Sequence, residues 1–515
     1  MSLDIKKLLK GNIVFFVMLG VLIFVAYRGV LNGEFVTADD PFGIITNPKI
    51  KSLTEAFKNH NFILIARALI YKVAGLNSHA YHINSIIFHV INTILVFVLS
   101  YTLFGRGVSI ITSILFALHP VNTEAVGWLS ADNYLYHAFF TFLVLIPFVL
   151  YKKTQNRRFL DWSVGIYAME VAFKMDVWST LTPVILVIMD QFILNTKISL
   201  KKSLYYLPYI GLAAIIILIV VIQQYGTRVS ELDVVHHFSV KNTAPIHQRI
   251  PYSMYMAAEL LIFPKTLTIY HEGTIITKNM FTGMVVASLV IVLLCIYLLK
   301  KKQKVYLGLI LIIFASISPT FSPVQVAWLA AERYMYVGAA FFCMILALLI
   351  LKIKNRNIII AVTALIAVLY FIKTSGRAYE WKTNKGLWLA TQKTSPYSYR
   401  TYNNLGDVYA QEGNYEQAIK YFEQALKLNP TYAEAVHNIG YTFLRLGNKE
   451  MAKKYLTKSV EMNPLLYQSL FKLGAIAYEE KNYEQAKVYF LKSLEVNPGF
   501  PPSVKALEVL NRVSP

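Results

Sequence analysis

The stretch TYNNLGDVYAQEGNYEQAIKYFEQALKLNP, Thr401 to Pro430, decides the fold of the C-terminal fifth of this 515-residue chain. Its last residue belongs to a series, Pro396, Pro430, Pro464 and Pro498, in which each proline follows the one before by 34 positions. Other residues keep the same step: Gly406, Gly440 and Gly474; Ala418, Ala452 and Ala486; Tyr421, Tyr455 and Tyr489. Small residues at fixed places let two helices of one unit approach closely, and aromatics fill the gaps between stacked units. A period of this length with a helical pattern predicts helix–turn–helix units that bury a continuous core only by stacking.

Period and pattern are those of the tetratricopeptide repeat. Three units, with a degenerate half-unit at WLATQKTSP (Trp388 to Pro396), predict a repeat domain over 397–515, preceded by a linker over 374–396. Its charge is nearly balanced, which speaks against a nucleic-acid groove. The usual role of such a stack is a concave platform for a peptide or protein.

Outward from the repeats the chain changes character. It is 56% hydrophobic and 15% charged, whereas soluble domains carry about 25% charged residues. Apolar runs of spanning length occur at 12–31, 83–104, 108–127, 134–151, 159–173, 177–194, 204–224, 281–299, 304–320, 335–351 and 357–373. About eleven membrane spans are therefore expected over residues 1–373. The first is read as an uncleaved span, since no small-residue cleavage site follows it. The formal charge of +21 sits in short clusters between the runs. With the N-terminus inside, Arg106, Lys152 to Arg158, Lys197 to Lys202, Lys300 to Lys304 and Lys352 to Arg356 all fall on the cytoplasmic side, as a topology signal requires. The opposite loops gather Asp39, Asp40, Glu124, Asp132, Asp176 and Glu332, and the repeats follow them to the extracytoplasmic side of the cell membrane. Cys295 and Cys343 lie inside apolar runs and suggest neither a disulfide framework nor a cysteine metal site.

Four constellations in those loops could carry chemistry. TADDPFGIITNPKI places Asp39 and Asp40 just beyond the first span, where one carboxylate could take a hydroxyl proton while the other orients it or holds a cation. The plainer reading is a cap on a helix starting at Pro41. HPVNTEAVGWLSADN gathers His119, Glu124 and Asp132; His119 before Pro120 could equally be a helix cap. AAERYMY brings Glu332 and Arg333 into a span, where an arginine fork suits a phosphate, although a local pair or snorkelling would also account for them. FKMD adds Lys174, a second positive charge or a snorkelling lysine. His82 and His89 share a helix face without a third ligand at helical spacing.

Taken together, these motifs resemble the transmembrane and tetratricopeptide-repeat-containing protein O-mannosyltransferases, of the GT-C glycosyltransferase fold. The resemblance runs in order through DDPFGIITNPKI, YHINSIIFHVINT, HPVNTEAVGW, LLIFPKTL, AERYMY and the EWK…GLW approach to the NNLG repeats. It implies an all-α, GT-C-like bundle followed by a repeat solenoid. It implies a sugar, mannose on the family pattern, donated from a polyprenyl phosphate to an extracytoplasmic acceptor, a protein hydroxyl presented by the repeats. By matching positions, Asp39 or Asp40 would be the base, and Arg333, Lys174 and His119 would surround the donor phosphate, with Glu124, Glu332 and Asp132 beside them. A divalent cation is allowed but not required, because a lipid phosphate already leaves readily. The chain departs from the family where ADNY (Ala131 to Tyr134) keeps Asp132 without the usual preceding arginine, where KMD replaces a Lys-Glu step, and where VGAA follows Tyr336. The alternatives are a non-catalytic membrane scaffold whose repeats recruit an envelope assembly, and a transporter or polymerase. The latter would favour ionisable residues in mid-span, whereas here they collect at span ends.

Overall fold

The computed structural model describes residues 5–173, 177–196, 203–219, 246–271, 277–321 and 328–513, and among them there is no strand. Lys174 and Asp176 lie outside the described residues. The chain divides into two compact units, with the boundary between Leu387 and Trp388 among the described residues.

The first unit is a bundle of apolar helices: α1 (Ile13–Ala26), α2 (Phe62–Ala74), α3 (Ser78–Phe104), α4 (Arg106–Leu118), α5 (Asp132–Thr154), α6 (Arg157–Ala172), α7 (Thr182–Ile188), α8 (Leu207–Ile219), α9 (Ile246–Ile262), α10 (Lys278–Lys300), α11 (Lys304–Ser316), α12 (Tyr336–Ile350) and α13 (Arg356–Glu380). Local chemistry sets their ends. The side chains of Asn77, Asn156, Thr277 and Asn355 each accept from a main-chain N–H of the first turn of α3, α6, α10 and α13, relieving donors that a helix start leaves bare. Gly105, at φ 86°, makes the sharp passage from α3 to α4, a backbone shape that a Cβ would strain.

Five helices are long and apolar enough to cross a bilayer, and five shorter apolar helices accompany them. Together they fit a multi-pass membrane protein. Two of the long helices, α10 and α13, have the highest mean hydropathy of the five, 2.7 and 2.2, yet only 11% and 6% of their apolar stretches are buried. The windows of α5 and of Glu332–Ile350 are 78% and 72% buried. Apolar side chains left outside in this way suit lipid, so α5 and α12 form the heart of the bundle and α10 and α13 its rim. Two bounds differ from the hydropathy reading. The run at 108–127 is not one helix: α4 stops at Leu118, and Pro120 begins a short turn, because proline cannot supply the next helical N–H. At the other end α13 continues past 373 to Glu380, anchored where Thr374 Oγ1 donates to the Leu118 carbonyl at 2.7 Å.

The second unit carries the repeats: Tyr399–Gln411 with Tyr415–Leu428, Ala433–Arg445 with Lys449–Met462, and Tyr467–Glu479 with Tyr483–Val496. Asn414, Asn448 and Asn482 each cap the second helix of a pair. A Cβ on Gly406 would stand 2.4 Å from the Phe422 ring, so the first helix has room for that ring only as glycine. The turns between paired helices need a left-handed residue, filled by Gly413, Gly447 and, in the third repeat, Lys481 at φ 60°. A last helix, Pro501–Val513, covers the open end by packing Leu510 against Ala477 and Phe490.

Candidate active site

The DD motif splits into two different aspartates. Asp40 is fully buried, and its carboxylate accepts from the main-chain N–H of Val36 at 2.7 Å, the N–H of Ser130 at 2.9 Å and Ser130 Oγ at 2.5 Å. Burial raises its carboxyl to about 6, against the pull of those donors, so it is mostly ionised at neutral pH. Asp40 is a clasp that holds the 36–46 loop to the turn before α5. Asp39 is exposed. Among the described residues its carboxylate accepts no hydrogen bond, and it lies close enough to Arg333 for its charge to act on the guanidinium.

A second clasp comes from a residue that sequence reasoning passed over. Arg67, on the buried face of α2, places Nε 3.0 Å from Asp132 Oδ2 and Nη2 2.7 Å from Oδ1. The same guanidinium donates to the carbonyls of Gly43 at 3.1 Å and Leu129 at 3.2 Å. Asp132 is thus a buried partner of Arg67. Arg67 is the one arginine of α2, and nothing in its local sequence marks it as facing inward.

Beside these clasps lies a buried charge network. Glu124 accepts from Arg333 twice, Oε1 from Nη1 at 2.5 Å and Oε2 from the main-chain N–H at 2.8 Å. The guanidinium carbon of Arg333 also stands 4.8 Å from the Trp128 ring centre and 5.1 Å from that of Tyr334, within cation–π range. Glu332 accepts from the Thr268 N–H and lies 3.6 Å from Arg377 Nη2 and 3.8 Å from His271 Nε2. Arg377 donates through Nη1 to Glu380 at 2.6 Å. Burial and the two nearby arginines push His271 down to about 3, so it is neutral at ordinary pH. Two carboxylates, Glu124 and Glu332, therefore face two arginines, the balance that buried charge demands.

Among the described residues, several buried polar atoms here have no hydrogen-bond partner in the protein: Arg377 Nε and Nη2, His271 Nε2, Trp128 Nε1 and Trp381 Nε1. Such atoms are costly unless something polar meets them. Most of these can donate, as an anion or a sugar hydroxyl would require, and one carboxylate oxygen of the same network, Glu332 Oε2, is likewise without a hydrogen-bond partner. Neither Arg377 nor His271 stood out in the sequence. Arg377 lies beyond the last predicted apolar run, and its signal was a lone arginine in the final turn of a longer helix.

His119, expected near the donor, has both ring nitrogens occupied inside the protein. Nδ1 accepts from the Val121 N–H at 3.3 Å, which leaves Nε2 to donate to the Leu261 carbonyl at 3.1 Å. Asp39, Glu124, Glu332, Arg333 and Arg377 are brought together; Asp40, Asp132 and His119 hold the frame around them. Among the described residues no group of three histidine, cysteine, aspartate or glutamate side chains is placed to hold a metal ion.

Tetratricopeptide-repeat profiles match residues 399–432, and 433–464 with 467–500. The protein O-mannosyl-transferase TMTC3 of Mus musculus is 23% identical over 402 residues, 70% of this chain and 43% of that relative. F38B6.6 of Caenorhabditis elegans, a protein O-mannosyl-transferase, is 23% identical over 447 residues, 80% of this chain and 62% of the relative. The chain is similar to the TMTC protein O-mannosyltransferases over most of its length. Human TMTC1, at 23% identity over 500 residues, extends the likeness to 80% of the chain and 54% of its own. The chain spans about half the length of these TMTC relatives.

Proposed function

We propose that the chain is a membrane glycosyltransferase that moves a sugar, mannose by its likeness to the TMTC proteins, from a polyprenyl-phosphate donor to a hydroxyl of an acceptor protein bound by the repeats. The observation that carries this reading is the nearness of an exposed carboxylate, Asp39, to the buried Arg333 of a charge network in which Arg377 Nε and the indole N–H groups of Trp128 and Trp381 have no hydrogen-bond partner among the described residues.

In the proposed step the acceptor oxygen attacks the anomeric carbon and Asp39 takes the hydroxyl proton. The bond from that carbon to the phosphate oxygen breaks, and the electron pair leaves with the lipid phosphate. One displacement inverts the anomeric configuration. Charge grows on the leaving phosphate, so cations fixed beside it lower the barrier. Arg377, whose Nε has no hydrogen-bond partner among the described residues, and Arg333, held in place by Glu124, supply them here. Lys174, expected in that role from its place in the sequence, lies outside the described residues. Asp40, Arg67 and Asp132 act by keeping the Asp39 loop fixed.

The test is transfer of labelled mannose from polyprenyl-phosphate mannose in membranes holding the full chain. Transfer that disappears in Asp39→Asn with expression retained supports the reading. Equal transfer in both would remove Asp39 as base, and no transfer by the wild type to any acceptor would leave a repeat-bearing membrane anchor. The active face would be the extracytoplasmic one.

A further inference from the structure

The first helices of the three repeats, Tyr399–Gln411, Ala433–Arg445 and Tyr467–Glu479, stand side by side, and their side chains meet across the joints. Asn438 Nδ2 donates to Asn403 Oδ1 at 3.0 Å between the first and the second, and His437 Nδ1 lies 2.6 Å from Ser469 Oγ between the second and the third. One turn further along, Lys472 of the third helix reaches back over the second. Its ammonium stands 4.2 Å from the centre of the Tyr441 ring and 5.6 Å from that of Phe471. Tyr441 is 38% exposed, so the face is open at this point.

The charge at this place is not balanced within the protein. Among the described residues the Lys472 ammonium meets two rings and no carboxylate. Arg445, on the exposed end of the second helix, gives its Nε to the Tyr415 hydroxyl at 3.3 Å and likewise meets no carboxylate. Neighbouring lysines differ: Lys449 and Lys453 pair with Glu479 and Glu480 at 2.7 and 2.8 Å. Burial, then the charge of Arg445, lowers the Lys472 ammonium from its ordinary value. Burial, then the charge of Lys472, pushes His437 down to about 4, while Glu434 acts on it in the opposite sense. Two like charges held close cost stability until an anion comes between them.

We propose that the face between the second and third repeats binds an extended acidic segment of a partner protein, with glutamate or aspartate carboxylates at Lys472 and Arg445 and the segment lying over Tyr441 and Phe471. Charge complementarity carries the choice of occupant. Two cations without a counterion suit two carboxylates, and the ring faces take the apolar stems of the same side chains. Lys472 is the stronger anchor, because rings on two sides fix its ammonium and shield it from water. Arg445 is exposed and adds a weaker attraction. The inference deepens the reading that the repeats hold a protein, by naming the chemistry they take, and does not rest on sugar transfer.

The experiment follows the fluorescence anisotropy of labelled octapeptides, blocked at both ends, added to the full chain in mild detergent. Alternating glycine and glutamate should bind, while glutamine or lysine in place of glutamate should abolish binding. Lys472→Met, which keeps an apolar stem between the rings, should weaken binding of the glutamate peptide about tenfold, and Arg445→Gln about threefold. Lys472→Arg should restore most of the affinity. Lys420→Gln, at an exposed lysine of a second helix, should change nothing. Full binding by Lys472→Met, an equal loss in Lys420→Gln, or tighter binding of the phosphoserine counterpart or of a glutamine peptide with a free C-terminal carboxylate would each overturn the assignment. Should Lys472→Met fail to fold, the exposed Arg445→Gln variant decides, and unchanged binding there counts against the site. A wild type that ignores the glutamate peptide refutes the acidic segment and leaves the Asp39 chemistry standing; a wild type that binds it without transferring sugar does the reverse.

Discussion

Arg67 forks onto Asp132 across 65 residues of sequence, its Nε and Nη2 meeting separate carboxylate oxygens at 3.0 and 2.7 Å. Both side chains are buried, so removing one leaves the other as an uncompensated charge. Arg67→Met should cost about 3–5 kcal/mol. The double variant Arg67→Met/Asp132→Leu should recover much of that loss, because the pair's own net value against apolar packing is small. Thermal midpoints of the two variants in detergent check this; equal loss in both would show that the pair does more than balance charge.

Asp39 and Asp40 are neighbours with opposite roles, and their asparagine variants should separate. Asp39→Asn should lower sugar transfer about 10²- to 10⁴-fold, the usual reach of a general base, with stability unchanged because the side chain is exposed. Asp40→Asn should disturb the loop and the midpoint together. Transfer rate and midpoint measured on the same preparations decide, and a stable, fully active Asp39→Asn would end its role as base.

Arg377 is expected to act on the leaving group. Arg377→Lys keeps the charge but removes the planar guanidinium and its unbonded Nε, and should slow transfer about 10²-fold. The check is the single-turnover rate at saturating donor. A change confined to donor affinity would show that Arg377 holds the ground state only.

Asp40 gives a pH signature. Its folded carboxyl lies near 6 and its ordinary value near 3.8. A raised carboxyl favours the fold when protonated, so its contribution is complete below the ordinary value and is lost as pH rises through 6. The wild type should therefore gain stability relative to Asp40→Asn as pH falls from 7 toward 4, by on the order of 3 kcal/mol for a shift of this size. Parallel midpoint curves for the two proteins would rule that out.

Lys481 occupies the turn position that Gly413 and Gly447 fill in the first two repeats, at φ 60°. A side chain in the left-handed region costs about 1–2 kcal/mol, part of which glycine returns as lost backbone entropy. Lys481→Gly should stabilise the third repeat by about 0.5–1 kcal/mol, seen as slower proteolysis between the helices at 467–479 and 483–496.

Much of this was legible in the sequence, for physical reasons. The repeats announce themselves because Gly406, Gly440 and Gly474 must recur for Phe422, Leu456 and Phe490 to pack against them. Apolar runs marked the helices because lipid selects composition. Hydropathy misplaced the end of α4 because His119-Pro120 continues the apolar run while breaking the helix. The site was legible in its acids and in Arg333, which sit in short motifs. It was illegible in Arg67, His271 and Arg377, whose partners lie far away in the chain. Nor could adjacency show that Asp40 points inward and Asp39 outward, since that depends on Ser130.

A stack in which every 34-residue segment meets only the next has no fixed length. Splicing another copy at the Asn463–Pro464 joint would lengthen the superhelix by one step without altering a residue of the apolar bundle. The length of concave surface that the repeats offer is thus set by the number of copies of one small module, and it can be lengthened or shortened without touching the bundle.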